Sequence, residues 1–409
     1  MTSRPRMIDK ITAGKITIMA AAKMNGIKTG NRLSNFGKNI LLLLISLVLV
    51  LGICEIVLRI YNPLGFRIKG DKIILPVNKK EIIHHEPGKL DKLVIHQKNS
   101  LGFRGPEPPP DFADYLTVVA IGGSTTECFE LAEDKTWPHV LGEKLKPDFN
   151  RLWLNNAGLS GNSTFGNYVL VRDFMVKLKP KVALFLVGVN DIGISGARDF
   201  DARIQEFNFR SLERSLASLA MHSELAAALL NLYRFYFPKS VMTVNQNDPK
   251  EIDLKTLPTL EVSPEARAAI LQAHKDKYLG PYETRLKRLL DIAAANNLQP
   301  VLLTQPVLYG NTVDEVTGVN LGKIQVTKEM NGAVAWEVLE LYNGVTRKVG
   351  REAGVPVIDL AAEVPKDSRY FYDLMHYTNQ GAAQVGDITY RHLSPWLAKN
   401  YPGYRRAAP

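Results

Sequence analysis

The order of apolar and polar positions divides the chain into three zones. Residues 1–39 show no sustained period and carry scattered basic side chains. Ile40–Cys54 is apolar except for Ser46 and Gly52, and the run resumes beyond Glu55 as Ile56, Val57, Leu58 and Ile60, ending near Tyr61. Residues 62–114 hold no long helical period; Asn62-Pro63, Pro106 and Pro108–Pro110 punctuate them. That stretch predicts a spacer with at most one short strand.

From residue 115 onward, strand-like and helix-like patterns alternate. Short apolar runs at 116–121, 152–154, 182–187, 300–304 and 356–360 predict buried strands. Helical periods predict helices over 136–145, 165–178, 281–296, 329–352 and 379–397. Such alternation implies a mostly parallel sheet covered on both faces, with a ligand crevice beyond the carboxyl ends of the strands. The third and fourth strands are separated by residues 188–299, whereas a one-helix crossover needs only about 30 residues. The surplus, 195–279, reads as a helical insertion. It includes Ser223–Phe237, which opens on a cap-like Ser223-Glu224 and closes on Tyr233, Phe235, Tyr236 and Phe237. A packed outgrowth with these aromatics in its own core is favoured over a lid or a membrane-proximal patch. The organisation is therefore a tail (1–39), an apolar segment (40–61), a spacer (62–114), a domain (115–398) and a short C-terminal tail (399–409).

Charge changes this picture more than composition does. At 409 residues, 45% hydrophobic and 22% charged, the chain is ordinary globular material, long enough for one large domain. Eight Lys/Arg against Asp9 alone give residues 1–39 a charge of +7 out of the total of +10. The basic excess belongs to the tail, so no nucleic-acid-binding domain is expected. Residues 40–61 match the roughly 20 needed to cross the hydrocarbon, with Arg59 and Tyr61 suited to the far interface. No small-x-small cleavage site follows, and Ile53 before Cys54 fits a lipoprotein signal poorly. The expectation is an uncleaved single-pass anchor with a cytoplasmic tail. The domain then lies on the exported side, periplasmic or extracellular. Cys54 and Cys128 cannot build a disulfide framework. No Cys/His cluster has zinc spacing, and His84-His85 read as solvent-exposed spacer residues, so neither a metal nor another cofactor is expected.

Four segments carry candidate chemistry, each placed after a predicted strand or before a predicted helix. They are Gly122-Gly123-Ser124-Thr125, Ser160-Gly161-Asn162-Ser163, Gly188-Val189-Asn190-Asp191 and Asp373-Leu374-Met375-His376. Two glycines ahead of Ser124 allow a tight turn that displays its hydroxyl at a strand end. A Walker loop is excluded, because no Gly-Lys-Ser/Thr follows at its spacing. Asp373 can orient one imidazole nitrogen of His376 while the other faces Ser124. Gly161 can offer a backbone amide and Asn190 a side-chain amide where a carbonyl oxygen becomes negative. Asp191, beside Asn190, suits loop bracing.

These segments resemble the SGNH hydrolase superfamily, the GDSL-type esterases, over about residues 116–398. The resemblance implies a flavodoxin-like three-layer α/β/α sandwich. It also implies Ser124 as nucleophile, the Ser124 amide with Gly161 and Asn190 as oxyanion donors, and Asp373–His376 as the acid–base pair. The family's first block usually reads Gly-Asp-Ser, and here Gly123 replaces the acid. Thr125-Thr126-Glu127 after the serine and Asn99–Gly105 upstream resemble a membrane-anchored bacterial subgroup. The expected activity is hydrolysis of acyl esters, acetyl esters of envelope or extracellular polysaccharide among them. Acyl transfer to polysaccharide hydroxyls would use the same site. A non-catalytic glycan-binding scaffold is the third alternative.

Overall fold

The computed structural model describes Phe36 and residues 38–61, 68–69, 72–196, 219–220, 222–236 and 251–406. An apolar helix, α1 (Lys38–Ile60), comes first. It has 23 residues, an 18-residue stretch of which has a mean hydropathy of 3.1, long and apolar enough to cross a membrane. Near its end, Glu55 accepts hydrogen bonds from Ser223 Oγ at 2.8 Å and from the amides of Glu224 and Leu225 at 3.0 Å each. Arg59, four residues on, pairs with Glu55 and donates to the His222 carbonyl. Glu55 thus satisfies two first-turn amides of a helix, 169 and 170 residues away in sequence, and Arg59 holds the chain just ahead of it.

The spacer departs from expectation. It forms two antiparallel hairpins, β1 (Ile68–Lys69) with β2 (Lys72–Ile73) and β3 (Lys80–His84) with β4 (Leu93–Gln97). The cause is a period-two alternation: Val94 and His96 of β4 are buried while Leu93, Ile95 and Gln97 face outward. His85, expected to be solvent-exposed, is also corrected. Its side chain is buried against Glu130, with Nε2 3.4 Å from a carboxylate oxygen.

Five parallel strands build the central sheet: β5 (Leu116–Gly122), β6 (Leu152–Asn156), β7 (Val182–Leu186), β8 (Gln299–Leu303) and β9 (Val357–Ile358). They lie in the order β6-β5-β7-β8-β9. Counted within the sheet this is 2-1-3-4-5, the flavodoxin-like order, which reverses direction between β5 and β7. Every residue of β5 and β7 is buried, as expected of strands covered on both faces.

The covering helices begin with a single turn, α2 (Ser124–Glu127), followed by α3 (Trp137–Leu145), which Thr136 caps by accepting from the His139 amide. The helix expected over 165–178 is interrupted: α4 (Thr164–Leu170) and α5 (Val176–Leu178) flank a π turn at Val171–Met175. Periodicity cannot show such a turn, because the apolar face continues through it. In the insertion, the described residues include α6 (Glu224–Tyr236) and α7 (Pro264–His274). Ser223 caps α6, accepting from the Ala226 amide. The side chains of Tyr233, Phe235, Tyr236 and Phe237 lie outside the described residues. The long helices α8 (Gly280–Ala295), α9 (Gly332–Ala353) and α11 (Asn379–Asn400) fall within a few residues of their predicted bounds, with the short α10 (Leu360–Glu363) between the last two. α11 packs with α3, while α4 and α9 pack on α8.

Candidate active site

The sheet reverses at β5 and β7, and the chain leaving each strand brings candidate residues to that point. β5 runs into Gly122-Gly123 and then the α2 turn, placing Ser124 at its first position. β7 runs into Gly188, at φ 126°, a left-handed region open to glycine, and then a 3-10 turn, Val189–Asp191. The last segment, ahead of α11, folds back on itself: the Tyr372 amide donates to the His376 carbonyl and Thr378 caps α11 through the Gly381 amide.

This folding places three side chains in series. Ser124 Oγ lies 2.7 Å from His376 Nε2, and His376 Nδ1 lies 2.6 Å from Asp373 Oδ2. The second oxygen of Asp373 accepts from the Met375 and His376 amides at 2.8 and 2.7 Å. The carboxylate is therefore held by its own turn. With the proton on Nδ1 directed at Asp373, Nε2 is left to accept the Ser124 hydroxyl proton. The ring of Tyr372 stacks on that of His376, 5.7 Å between centroids.

Charges around the imidazole compete. Burial pushes His376 down, but the charge and hydrogen bond of Asp373, with Glu130, outweigh it and set the ring above its ordinary value. Burial pushes Asp373 up, yet His376 and the two amides hold it below the usual carboxylate range. Glu130 behaves otherwise: burial raises it to about 7, with His376 opposing and Asp373 and Glu127 adding to the rise.

Two further segments close on Ser124. Gly161 has φ 76°, a conformation suited to glycine, inside a turn closed by the Asn162 amide donating to Leu159 O at 3.0 Å. Asn190 Nδ2 donates to Asn162 O at 3.1 Å, which ties the second and third motif segments together. A Cβ on Gly123 would overlap that same Asn190 amide. A side chain at 123 would therefore have to displace the Asn190 amide.

Behind Asn190, Asp191 is buried and paired with Arg285 of α8 at 3.0 Å, both side chains 1% exposed. Asp191 also accepts from the Thr164 hydroxyl and amide at 2.6 and 3.1 Å. Arg285 further donates to Gly196 O at 2.8 Å. The expected bracing role of Asp191 therefore rests on a network that locks α4, α8 and the Asn190 turn together.

Several residues around the site had no signal in the sequence. Thr125 Oγ1 donates to Gln305 Oε1 at 3.0 Å, tying the Ser124 turn to the chain beyond β8. Arg104, fully buried, donates to Glu127 O and Leu131 O at 2.8 Å each. That residue lies in the Asn99–Gly105 segment singled out above, which grips the chain just past Ser124. Glu127 stands in the Thr125-Thr126-Glu127 segment noted above, but nothing local assigns it a role, and Glu130 is unmarked. A carboxylate near a glycine turn looks like any solvated one, and its partners come from elsewhere in the chain. Among the described residues, no group of three or more His, Cys, Asp or Glu could hold a metal ion, and Cys54 and Cys128 are both free.

Fold and site together define the class, α/β enzymes that hydrolyse ester bonds. A model of the GDSL-like lipase/acylhydrolase family matches residues 120–384, and the chain belongs to that family. No curated protein sequence is significantly similar. Among solved structures, the chain is similar to a catalytic mutant of an acetylxylan esterase from Geobacillus stearothermophilus. That match has 14% identity over 68% of this chain and 93% of the other, with a TM-score of 0.37. It is also similar to a psychrotrophic esterase from Pseudoalteromonas sp., at 12% identity over 69% and 98% of the two chains, with a TM-score of 0.34.

Proposed function

We propose that this ester hydrolase is a membrane-anchored serine esterase whose nucleophile is Ser124. The observation that carries the reading is the continuous chain from the Ser124 hydroxyl through His376 to Asp373, with separations of 2.7 and 2.6 Å. In the first step Ser124 Oγ attacks the ester carbonyl and His376 Nε2 takes its proton. The imidazolium then returns that proton to the departing alkoxide, leaving an acyl-enzyme. Water, deprotonated by the same imidazole, attacks the acyl carbon; the bond from that carbon to Ser124 Oγ breaks, the imidazolium returns the proton to Oγ, and the acid is released. Asp373 keeps the ring in the reactive tautomer and stabilises the imidazolium. The amides of Ser124 and Gly161 and the side-chain amide of Asn190 receive the negative oxygen.

The anchoring half of the proposal is supported by α1, which is long and apolar enough to cross a membrane, and by its basic flank, which favours a cytoplasmic 1–39 and an exported catalytic domain. Acetyl esters of envelope or extracellular polysaccharide are the substrate class carried over from the family resemblance. The test uses purified full chain in detergent with a short-chain aryl ester. Wild type turns it over and Ser124→Ala does not; equal rates for the two proteins reject the reading.

A further inference from the structure

The α2 turn that presents Ser124 also carries a buried carboxylate. Glu127 is 7% exposed, three residues after the serine on the same single turn. One of its oxygens is 2.8 Å from Lys98 Nζ, whose side chain is 2% exposed. Lys98 follows β4 in the segment that links the anchor to the domain. The other oxygen accepts two hydrogen bonds from one residue: the Ser160 amide at 2.8 Å and the Ser160 hydroxyl at 2.6 Å. Ser160 immediately precedes Gly161.

Burying a carboxylate and an ammonium is expensive, and an apolar pair of similar volume would serve stability as well or better. The arrangement therefore calls for a second use, and Ser160 supplies one. An oxyanion donor acts only if its N–H lies within a few tenths of an ångström of where the charge develops relative to the nucleophile. Glu127 connects these two coordinates directly, from the turn holding Ser124 to the residue before Gly161. Other contacts help keep the two pieces in register. Asn156 Nδ2 donates to Thr126 O at 2.8 Å, and the Leu159 amide donates to Gly122 O at 3.0 Å. A Cβ on Gly158 would overlap the Glu127 backbone, so the loop lies directly on the turn.

Taking Gly161 as an oxyanion donor, as in the reading above, we infer that Glu127 is a positioning residue, held by Lys98, that sets the Gly161 amide against Ser124. Burial raises the Glu127 carboxyl, but the Lys98 ammonium beside it and the hydrogen bonds from Ser160 outweigh it and keep it ionised. His96, on the other side, is held neutral at about 3 by burial and by the cations Arg104 and Lys98. Glu127 thus stays an acceptor for Ser160 throughout the neutral range. The inference also gives the juxtamembrane segment a role in catalysis, since Lys98 belongs to it.

Two double variants separate positioning from charge burial. Both Glu127→Gln with Lys98→Met and Glu127→Leu with Lys98→Met remove the ion pair. Only the first retains an acceptor for Ser160. Glu127→Gln/Lys98→Met is expected to keep kcat within a few-fold of wild type, whereas Glu127→Leu/Lys98→Met loses at least tenfold in kcat with KM little changed. Phosphonylation of Ser124 by a fluorophosphonate should slow by the same factor, because that reaction also develops a charged oxygen. Equal kcat in the two double variants overturns the inference. Ser160→Ala provides a further test that leaves the ion pair intact: a several-fold fall in kcat at constant KM is expected, and an unchanged kcat overturns it. A Ser124→Ala control as active as wild type would instead reject the assignment of the nucleophile and leaves a result distinct from either.

Discussion

Replacing Asp191 by asparagine removes one charge from a dry site without changing its shape. The carboxylate meets four donors, two from Thr164 and two from Arg285, and neither member of the ion pair is more than 1% exposed. Asparagine keeps one acceptor oxygen but turns an amide NH2 toward the guanidinium. Arg285 keeps Ile194 O and Gly196 O as acceptors and loses its counter-ion. Breaking a buried pair from one side costs about 3–5 kcal/mol. At about 2–4 °C per kcal/mol for a large domain, the thermal midpoint should fall by several degrees or more. The loss should be shared with activity, because the next residue, Asn190, is tied to Asn162 through the same turn. The assay is thermal unfolding of Asp191→Asn and of Asp191→Asn/Arg285→Met, with ester turnover measured on both. The double variant should recover much of the midpoint, since it no longer buries an unpaired cation. A single variant that loses less than about 1 kcal/mol, the range of surface pairs, refutes the reasoning.

Other outcomes follow from the site's geometry. Asp373→Asn should leave the protein folded and lower kcat by about 10⁴-fold, measured by steady-state hydrolysis, through the wrong imidazole tautomer. Gly123→Ala should lower turnover at least tenfold while barely moving the thermal midpoint, since its Cβ meets the Asn190 amide and not the core. For pH, His376 must be neutral to accept a proton, and its folded value is raised, so the acid limb of kcat/KM should lie above the ordinary 6.5. Glu130 titrates near 7 in the fold against 4.5 when free, so the folded state binds more protons between those values. Stability is therefore lost as pH rises through that window. Glu130→Gln should raise the thermal midpoint at pH 8 and change it little at pH 4, read by parallel melts.

The sequence disclosed the sheet and the candidate site segments, each through local physics. Strands β5 and β7 announce themselves as unbroken apolar runs because both of their faces are covered. Ser124, Asn190 and the Asp373–His376 turn stand at element ends, where a side chain is free to do chemistry. What stayed hidden depends on partners remote in the chain. Glu127 is intelligible only with Lys98 and Ser160 beside it, and Arg285 looks like one more charge on a helix until Asp191 is placed against it. The β3–β4 hairpin was missed for another reason. Its alternation is short and several of its outward residues, Ile82, Leu93 and Ile95, are apolar, so it blends into a proline-punctuated spacer. The insertion was visible as surplus length, but nothing local indicated that Glu55 of α1 would cap one of its helices.

The central claim is that the Ser124 hydroxyl is made nucleophilic by His376. The most direct measurement is reaction of the full chain with a fluorophosphonate, followed by intact mass and peptide mapping. A single adduct on Ser124 is predicted for wild type, none for Ser124→Ala, and a strongly slowed reaction for His376→Ala. An adduct that forms elsewhere, or at the same rate without the imidazole, contradicts the account.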